Sequence, residues 1–232
     1  MISIIIPTYN SAKSLSRTVG SIFAQSVKDT EIIVVDDGST DATFDALKPY
    51  MKRITYSKQE NKGAPAARNA GFARSHGEYV LFCDADMILE FRMFEKLLDA
   101  LEKNPQASFA YSAFKWGWKT FSSFSFNAEK LKLMNYIHTS ALIRREHFPG
   151  FDESLKKFQD WDVWLTMSEK GHVGMYVPEV LYTVVQTKGT MSSWLPTCMY
   201  GFPWKRFGIT IPAIERYEAA KKIIFEKHQL RL

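Results

Sequence analysis

The sequence predicts an α/β fold, a mostly parallel, doubly wound sheet with helices on both faces, followed by a less regular second half and a C-terminal helix. Three observations carry this. Short apolar runs bounded by turn residues recur at residues 2–6, 31–35 and 77–87, as buried parallel strands require. Amphipathic stretches fill the intervals, which gives the strand–helix alternation of a parallel sheet. At 232 residues the chain is long enough for one such domain with a sizeable core and short for two.

Taken in order, residues 2–6 are isoleucines around Ser3, ended by Pro7, and suit a central strand. Asn10 and Ser11 are helix-capping types before residues 12–25, where Leu15, Val19, Ile22 and Phe23 recur at helical spacing. Residues 31–35 form a second strand that stops on Asp36-Asp37-Gly38-Ser39-Thr40-Asp41, and a helix over 42–51 and a strand over 53–57 follow. The turn Asn61-Lys62-Gly63-Ala64-Pro65 opens an alanine-rich helix that reaches His76. The fourth strand, within 77–87, ends on Asp84-Ala85-Asp86. A helix over 91–103, stopped by Asn104-Pro105, leads into a strand over 107–114.

Beyond it, residues 116–126 are aromatic and serine-rich, 136–144 read as a strand, 160–170 as a helix, and 173–177 and 181–186 as short strands. Residues 191–212 mix aromatic side chains with three prolines and read as a packed or surface-seeking loop. The last helix, 213–228, carries Ile214, Tyr217 and Ile224 on one stripe. One domain over 1–190, divided near 105, with an appendage over 191–232, is the expected organisation.

Composition narrows the class. Charged residues at 24% and hydrophobic ones at 46% are ordinary for a soluble chain, and no run of about eighteen uncharged apolar residues could span a bilayer. Residues 2–7 are too short and lack the basic start of a signal peptide, so a cytoplasmic location is expected. Cys83 and Cys198 cannot make a disulfide framework and read as reduced apolar side chains. The net charge of +5 is concentrated from Lys205 onward, where seven cations face three glutamates. It is modest, terminal and without a recognition motif, which argues against nucleic acid as a partner.

The chemistry lies at the strand ends. In open α/β sheets ligands collect outside the carboxyl ends of the strands, where Asp36 and Asp37 and the pair Asp84 and Asp86 should converge. Alternate carboxylates can hold a hard divalent cation whose other ligands are phosphate oxygens and water. A carboxylate only accepts hydrogen bonds, so it matches the imide N–H of uracil or thymine, and guanine N1–H as well, but not cytosine. Arg68, and Lys62 before it, stand where a cation could reach a diphosphate. Asp160 in Gln159-Asp160-Trp161-Asp162 could serve as a general base if it reaches an acceptor hydroxyl. Each motif alone also fits a plain turn or helix cap.

The ordered set Ile-Ile-Pro-Thr-Tyr-Asn, Val-Val-Asp-Asp-Gly-Ser-Thr-Asp, Asn-Lys-Gly with Ala-Ala-Arg-Asn, Gly-Glu-Tyr with Asp-Ala-Asp, and Gln-Asp-Trp-Asp resembles the family 2 glycosyltransferases over residues 1–193. That resemblance implies a GT-A, Rossmann-like fold with a nucleotide-binding half over 1–105 and an acceptor-side half over 106–190. It implies transfer of a sugar with inversion from a nucleotide-diphosphosugar, a UDP-sugar favoured, to a glycan or lipid-linked acceptor. Pro7, Thr8, Tyr9, Asp36, Asp37, Arg68, Asp84 and Ala85 would bind the nucleotide. Asp84 would contact the ribose or donor sugar, Asp86 a divalent cation (Mn²⁺ or Mg²⁺), and Asp160 would be the base, with Gln159, Trp161 and His138 toward the acceptor. Peripheral contact with the inner face of a membrane, or dimerisation, through the C-terminal segment are both compatible with its basic, aromatic character.

Two departures from the family pattern stand out. Gln159 replaces the usual Glu before the base, and Gln186-Thr187-Lys188-Gly189 occupy the region where an Arg and a His are common, so Lys188 is a candidate replacement cation. A catalytically weak or inactive sugar-nucleotide-binding protein is therefore one alternative, and a nucleotidyl- or phosphotransfer enzyme another. The latter fits less well, since the Asp-x-Asp-Gly-Thr of aspartyl phosphotransferases, a Walker loop and a Gly-x-Gly-x-x-Gly loop are all missing.

Overall fold

The computed structural model describes residues 1–185 and 211–230. Gln186 to Gly189, Lys188 included, Cys198 and the loop expected over 191–212 lie outside the described residues, apart from Ile211 and Pro212 at its end.

Four strands form the first half of the sheet: β1 (Ile2–Thr8), β2 (Thr30–Asp36), β3 (Thr55–Lys58) and β4 (Tyr79–Phe82). They pair in parallel in the order β3-β2-β1-β4. Four helices connect and flank them: α1 (Leu15–Phe23), α2 (Thr43–Leu47), α3 (Ala64–Phe72) and α4 (Met93–Glu102). Both faces of β1 are apolar because both are covered. Ile4 and Ile6 pack in one core with Leu15, Val19 and Leu97, while Ile5 packs in the other with Ala67, Val80 and Phe82. Gly71 lets α3 press onto β1, since a Cβ there would stand 2.4 Å from the Ile5 side chain.

The second half is mixed. β5 (Met87–Leu89), β6 (Ala107–Trp116), β7 (Lys119–Phe121), β8 (Leu142–Arg144) and β9 (Val173–Val184) extend the sheet from β4 in the order β8-β6-β9-β5, with β7 paired to β6. β8 is antiparallel to both neighbours and β5 is antiparallel to β9, whereas β6 and β9 run parallel. The two short strands expected near residues 173–186 are one strand, with its pairing shifted beside Pro178. Of the strand expected over 136–144 only β8 is regular. The strand expected over 107–114 is β6, whereas β5 and β7, three residues each, were not singled out in the sequence.

Helices α5 (Ala128–Leu133), α6 (Gln159–Glu169) and α7 (Pro212–Lys227) complete the fold. Trp161 and Trp164 of α6 enter the same core as Ile5 and Phe82, and Ile224 and Phe225 of α7 join them. The described end of the C-terminal segment is thus built into the domain. Among the described residues no helix is long and apolar enough to cross a membrane.

Candidate active site

The carboxyl ends of β1, β2 and β4 meet at one edge. Asp37 N–H donates to the Thr8 carbonyl at 2.8 Å, and Cys83 N–H to the Ile5 carbonyl at 2.9 Å, so the residues that follow each strand emerge side by side. The two aspartates of β2 then divide. Asp36 turns inward, 1% exposed, and accepts from Ser39 N–H at 2.7 Å and Tyr56 O–H at 2.8 Å. With its carboxylate buried and turned toward Ser39 and Tyr56, it faces away from the nucleotide contact expected of it.

Asp37 accepts from Gln59 Nε2 at 2.8 Å, Lys62 N–H at 2.9 Å and Gly63 N–H at 2.8 Å, which folds the 59–63 loop over the strand ends. Gly63, at φ 93°, turns that loop into α3. A carboxylate offers about four acceptor positions, so one remains, and the Gln59 amide is the replaceable partner. Tyr9 beside it is half exposed, whereas Pro7 is buried in β1. Thr8 Oγ1 is buried without a hydrogen-bond partner.

Arg68, on α3, is the hub. Its guanidinium donates through Nη2 to Asp84 Oδ1 at 2.8 Å and through Nη1 to Gln159 Oε1 at 3.1 Å, and it lies 5.2 Å from the Phe151 ring. Its Nε is buried and unpartnered. Burial alone would raise the Asp84 carboxyl, but the Arg68 charge outweighs it and holds the group below the usual aspartate range. Asp86 has no such cation. Burial first and the Asp84 charge second push it up to about 6. The Ala85 carbonyl accepts from Thr18 Oγ1 at 3.0 Å and the Asp86 carbonyl from Val185 N–H at 2.8 Å, which ties the acidic turn to α1 and β9.

Asp160 is the second residue of α6 and is partly exposed, with Oδ1 accepting its neighbour's N–H (Trp161) at 2.9 Å. His138 stands near both carboxylate groups: burial lowers its pKa, while Asp84 and Asp160 oppose that effect. Its ring packs 4.9 Å from Phe114 and 5.5 Å from Tyr182, and Nδ1 accepts from Ser140 N–H at 3.3 Å. The neutral ring therefore carries its proton on Nε2. Trp161 is a correction: it is 1% exposed, and its indole N–H donates to the Leu131 carbonyl at 2.7 Å. It presents neither a ring face nor a donor to an acceptor.

Gln59, Phe151 and Tyr182 contribute to the site without having been singled out in the sequence. Gln59 neighbours the Asn-Lys-Gly turn, which was a usable signal; the other two are brought in by distant pairing.

A divalent cation fits this site with few protein ligands. Among the described residues no group of three or more His, Cys, Asp or Glu gathers in a metal-binding arrangement. Asp86 alone offers a hard carboxylate whose raised pKa an adjacent cation would relieve, which suits an ion completed by phosphate oxygens and water.

With this geometry in view, the model of the family described as "Glycosyl transferase family 2" matches residues 3–151. The chain belongs to that family. TuaG of Bacillus subtilis (strain 168), a glycosyltransferase assigned to teichuronic acid biosynthesis, is 30% identical over 210 residues, covering 84% of this chain and 83% of TuaG. Chondroitin synthase of Escherichia coli is 29% identical over 189 residues, 74% of this chain, yet the match spans just 27% of that protein. Glycosyltransferase GlyA of Streptococcus pneumoniae is 42% identical over 99 residues and is matched over 14% of its length.

Among solved structures, S. aureus TarS (residues 1–349) in complex with UDP-GlcNAc superposes with a TM-score of 0.68 at 19% identity, covering 86% of this chain and 63% of that one. Mannosyltransferase PcManGT from Pyrobaculum calidifontis, with GDP-Man and Mn²⁺, gives 0.62 at 20% identity, covering 81% and 58%. These likenesses show that this family 2 glycosyltransferase chain has the GT-A fold of those enzymes.

Proposed function

We propose that the protein transfers a sugar from a nucleotide-diphosphosugar, a UDP-sugar favoured, to a hydroxyl of a glycan or lipid-linked acceptor with inversion. The observation that carries this is the single guanidinium of Arg68, which joins Asp84 at the strand ends to Gln159, the residue before Asp160. Donor-side carboxylate and base helix are thereby held at a fixed spacing. The complexes of TarS with UDP-GlcNAc and of PcManGT with GDP-Man support the donor class by analogy.

In this reading Asp37 and the 59–63 loop receive the base, with Thr8 and Tyr9 at the nucleoside, and Asp84 meets a ribose or sugar hydroxyl. Asp86 would hold Mn²⁺ or Mg²⁺, which supplies positive charge at the diphosphate when bound. Asp160 takes the proton of the acceptor hydroxyl as that oxygen bonds to the sugar C1. The C1–O bond to phosphate breaks, and the nucleoside diphosphate leaves with the electron pair. One displacement from the face opposite the leaving group inverts the centre. His138 Nε2–H is a donor for a sugar hydroxyl between the two carboxylates.

Gln159 favours a second reading, a sugar-nucleotide-binding protein with weak turnover, because an amide replaces a carboxylate beside the base. Donor hydrolysis and transfer across a panel of nucleotide sugars with Mn²⁺ or Mg²⁺, alongside Asp86→Ala and Asp160→Asn, separates the two. Turnover abolished by chelator and by either substitution is expected. Turnover that survives all three would overturn the mechanism.

A further inference from the structure

Among the described residues, the most heavily ion-paired point outside the strand ends lies where α7 meets α6. Asp162, 4% exposed in its side chain, has Lys227 Nζ 2.7 Å and His228 Nε2 2.8 Å from the same oxygen, Oδ1. Lys227 also reaches Asp152 Oδ2 at 2.6 Å, and Lys227 and Ser154 hold that carboxyl down at about 2. His228, 2% exposed, places its other nitrogen, Nδ1, 2.8 Å from Glu169 Oε1. A neutral imidazole has a single N–H, so a ring facing a carboxylate oxygen at both nitrogens must be the imidazolium. Two cations from the end of one helix therefore grip a buried carboxylate on another.

Asp162 sits two residues beyond Asp160, and its N–H donates to the Phe158 carbonyl at 2.9 Å, closing the first turn of α6. Apolar contacts run alongside: Phe158 packs 5.2 Å from Tyr217, and Trp161 5.9 Å from Phe225. Asp160 is flanked by two held residues, Gln159 on Arg68 and Asp162 on Lys227 and His228. We propose that Lys227 and His228 are positioning residues for sugar transfer, clamping Asp162 so that the first turn of α6 presents Asp160 at a fixed place. This rests on the reading of Asp160 as the base. It makes the end of the C-terminal segment part of the catalytic half.

The clamp has a pH sense. Burial works against the charged ring, but Asp162 and Glu169 outweigh it and raise the His228 pKa above the ordinary histidine value. The clamp is whole below that raised pKa and loosens as pH rises through it. The groups facing the ring are Asp162 and Glu169 of α6, with Lys227 on its own helix and Asp152 behind it. Glu129 and Lys132 of α5 line the adjoining cavity of about 610 Å³.

Amide hydrogen exchange of the full chain tests the clamp directly. In His228→Gln, exchange over residues 158–165 should rise about tenfold while the strand β1 stays protected, the scale set by losing a buried charge-assisted bond. Turnover in the nucleotide-sugar panel should fall by a similar factor with UDP affinity unchanged. The wild type should show a basic limb in kcat that His228→Gln lacks. Lys222→Ala, on the exposed side of α7, should leave all of these as they are.

Unchanged exchange over 158–165 in His228→Gln, or exchange raised equally throughout the chain, would overturn the clamp. Turnover retained by Asp160→Asn while His228→Gln still loosens α6 would instead overturn the base assignment. The two failures are distinct.

Discussion

Arg68 and Asp84 form a partly buried ion pair of 2.8 Å, and the same guanidinium reaches Gln159 on a helix ninety-one residues away in sequence. Removing the cation leaves Asp84 with no compensating charge in a site that water only partly reaches. Arg68→Ala should lower unfolding free energy by about 2 kcal/mol, read as a shift of the urea midpoint at constant slope. Arg68→Lys should recover little of it, because an ammonium cannot donate in fixed directions to both acceptors as a planar fork does.

Asp86 makes stability depend on pH and on metal. Its folded pKa of about 6 lies above the unfolded aspartate value, so the native state binds more protons between roughly pH 4 and 6. The contribution of Asp86 to stability is therefore greatest below that window and is lost as pH rises through it. Without metal, Asp86→Asn should be more stable than the wild type at pH 7 by about 1–2 kcal/mol, after allowance for partial solvent access. Mn²⁺ or Mg²⁺ should raise the Tm of the wild type above pH 6 and leave Asp86→Asn unchanged in the same thermal scans.

Asp37→Asn tests the nucleotide loop. The amide keeps one acceptor oxygen but turns N–H groups toward at least one of the Gln59, Lys62 and Gly63 donors. UDP affinity measured by calorimetry should fall tenfold or more, and stability by about 1–3 kcal/mol for the unpaired donor. Equal affinity in the two proteins would remove Asp37 from the nucleotide site.

Trp161→Phe tests the reassignment of the indole to the core. The change removes the donor to the Leu131 carbonyl, so it should lower stability by about 1–3 kcal/mol while leaving acceptor KM unaltered. A raised KM with unchanged Tm would return Trp161 to the acceptor site.

Gly71→Ala probes the seating of α3. Its added Cβ would meet the Ile5 side chain at 2.4 Å, and overpacking of this kind should cost about 1–3 kcal/mol in thermal or urea unfolding.

The alternation of buried strands and amphipathic helices was legible in the chain because each β1-type strand is apolar on both faces, a pattern that sheets covered by helices impose locally. Asp37, Asp84, Asp86 and Asp160 stood out for a related reason: they sit at the ends of elements, where chemistry interrupts an otherwise apolar rhythm, while Arg68 stood out as a cation in the middle of the alanine-rich α3. The tertiary structure decided which of them look outward. Asp36 and Asp37 are neighbours with the same side chain, yet strand alternation turns one into Tyr56 and Ser39 and leaves the other at the loop. Trp161 follows Asp160 by one residue, and the turn of the helix sends it into the core. The antiparallel β8, the joining of residues 173–184 into one strand, and the grip of Lys227 and His228 on Asp162 depend on partners dozens of residues away. Local pattern reports burial and element ends; which ends meet is set by long-range pairing and packing, which no stretch of the sequence carries by itself.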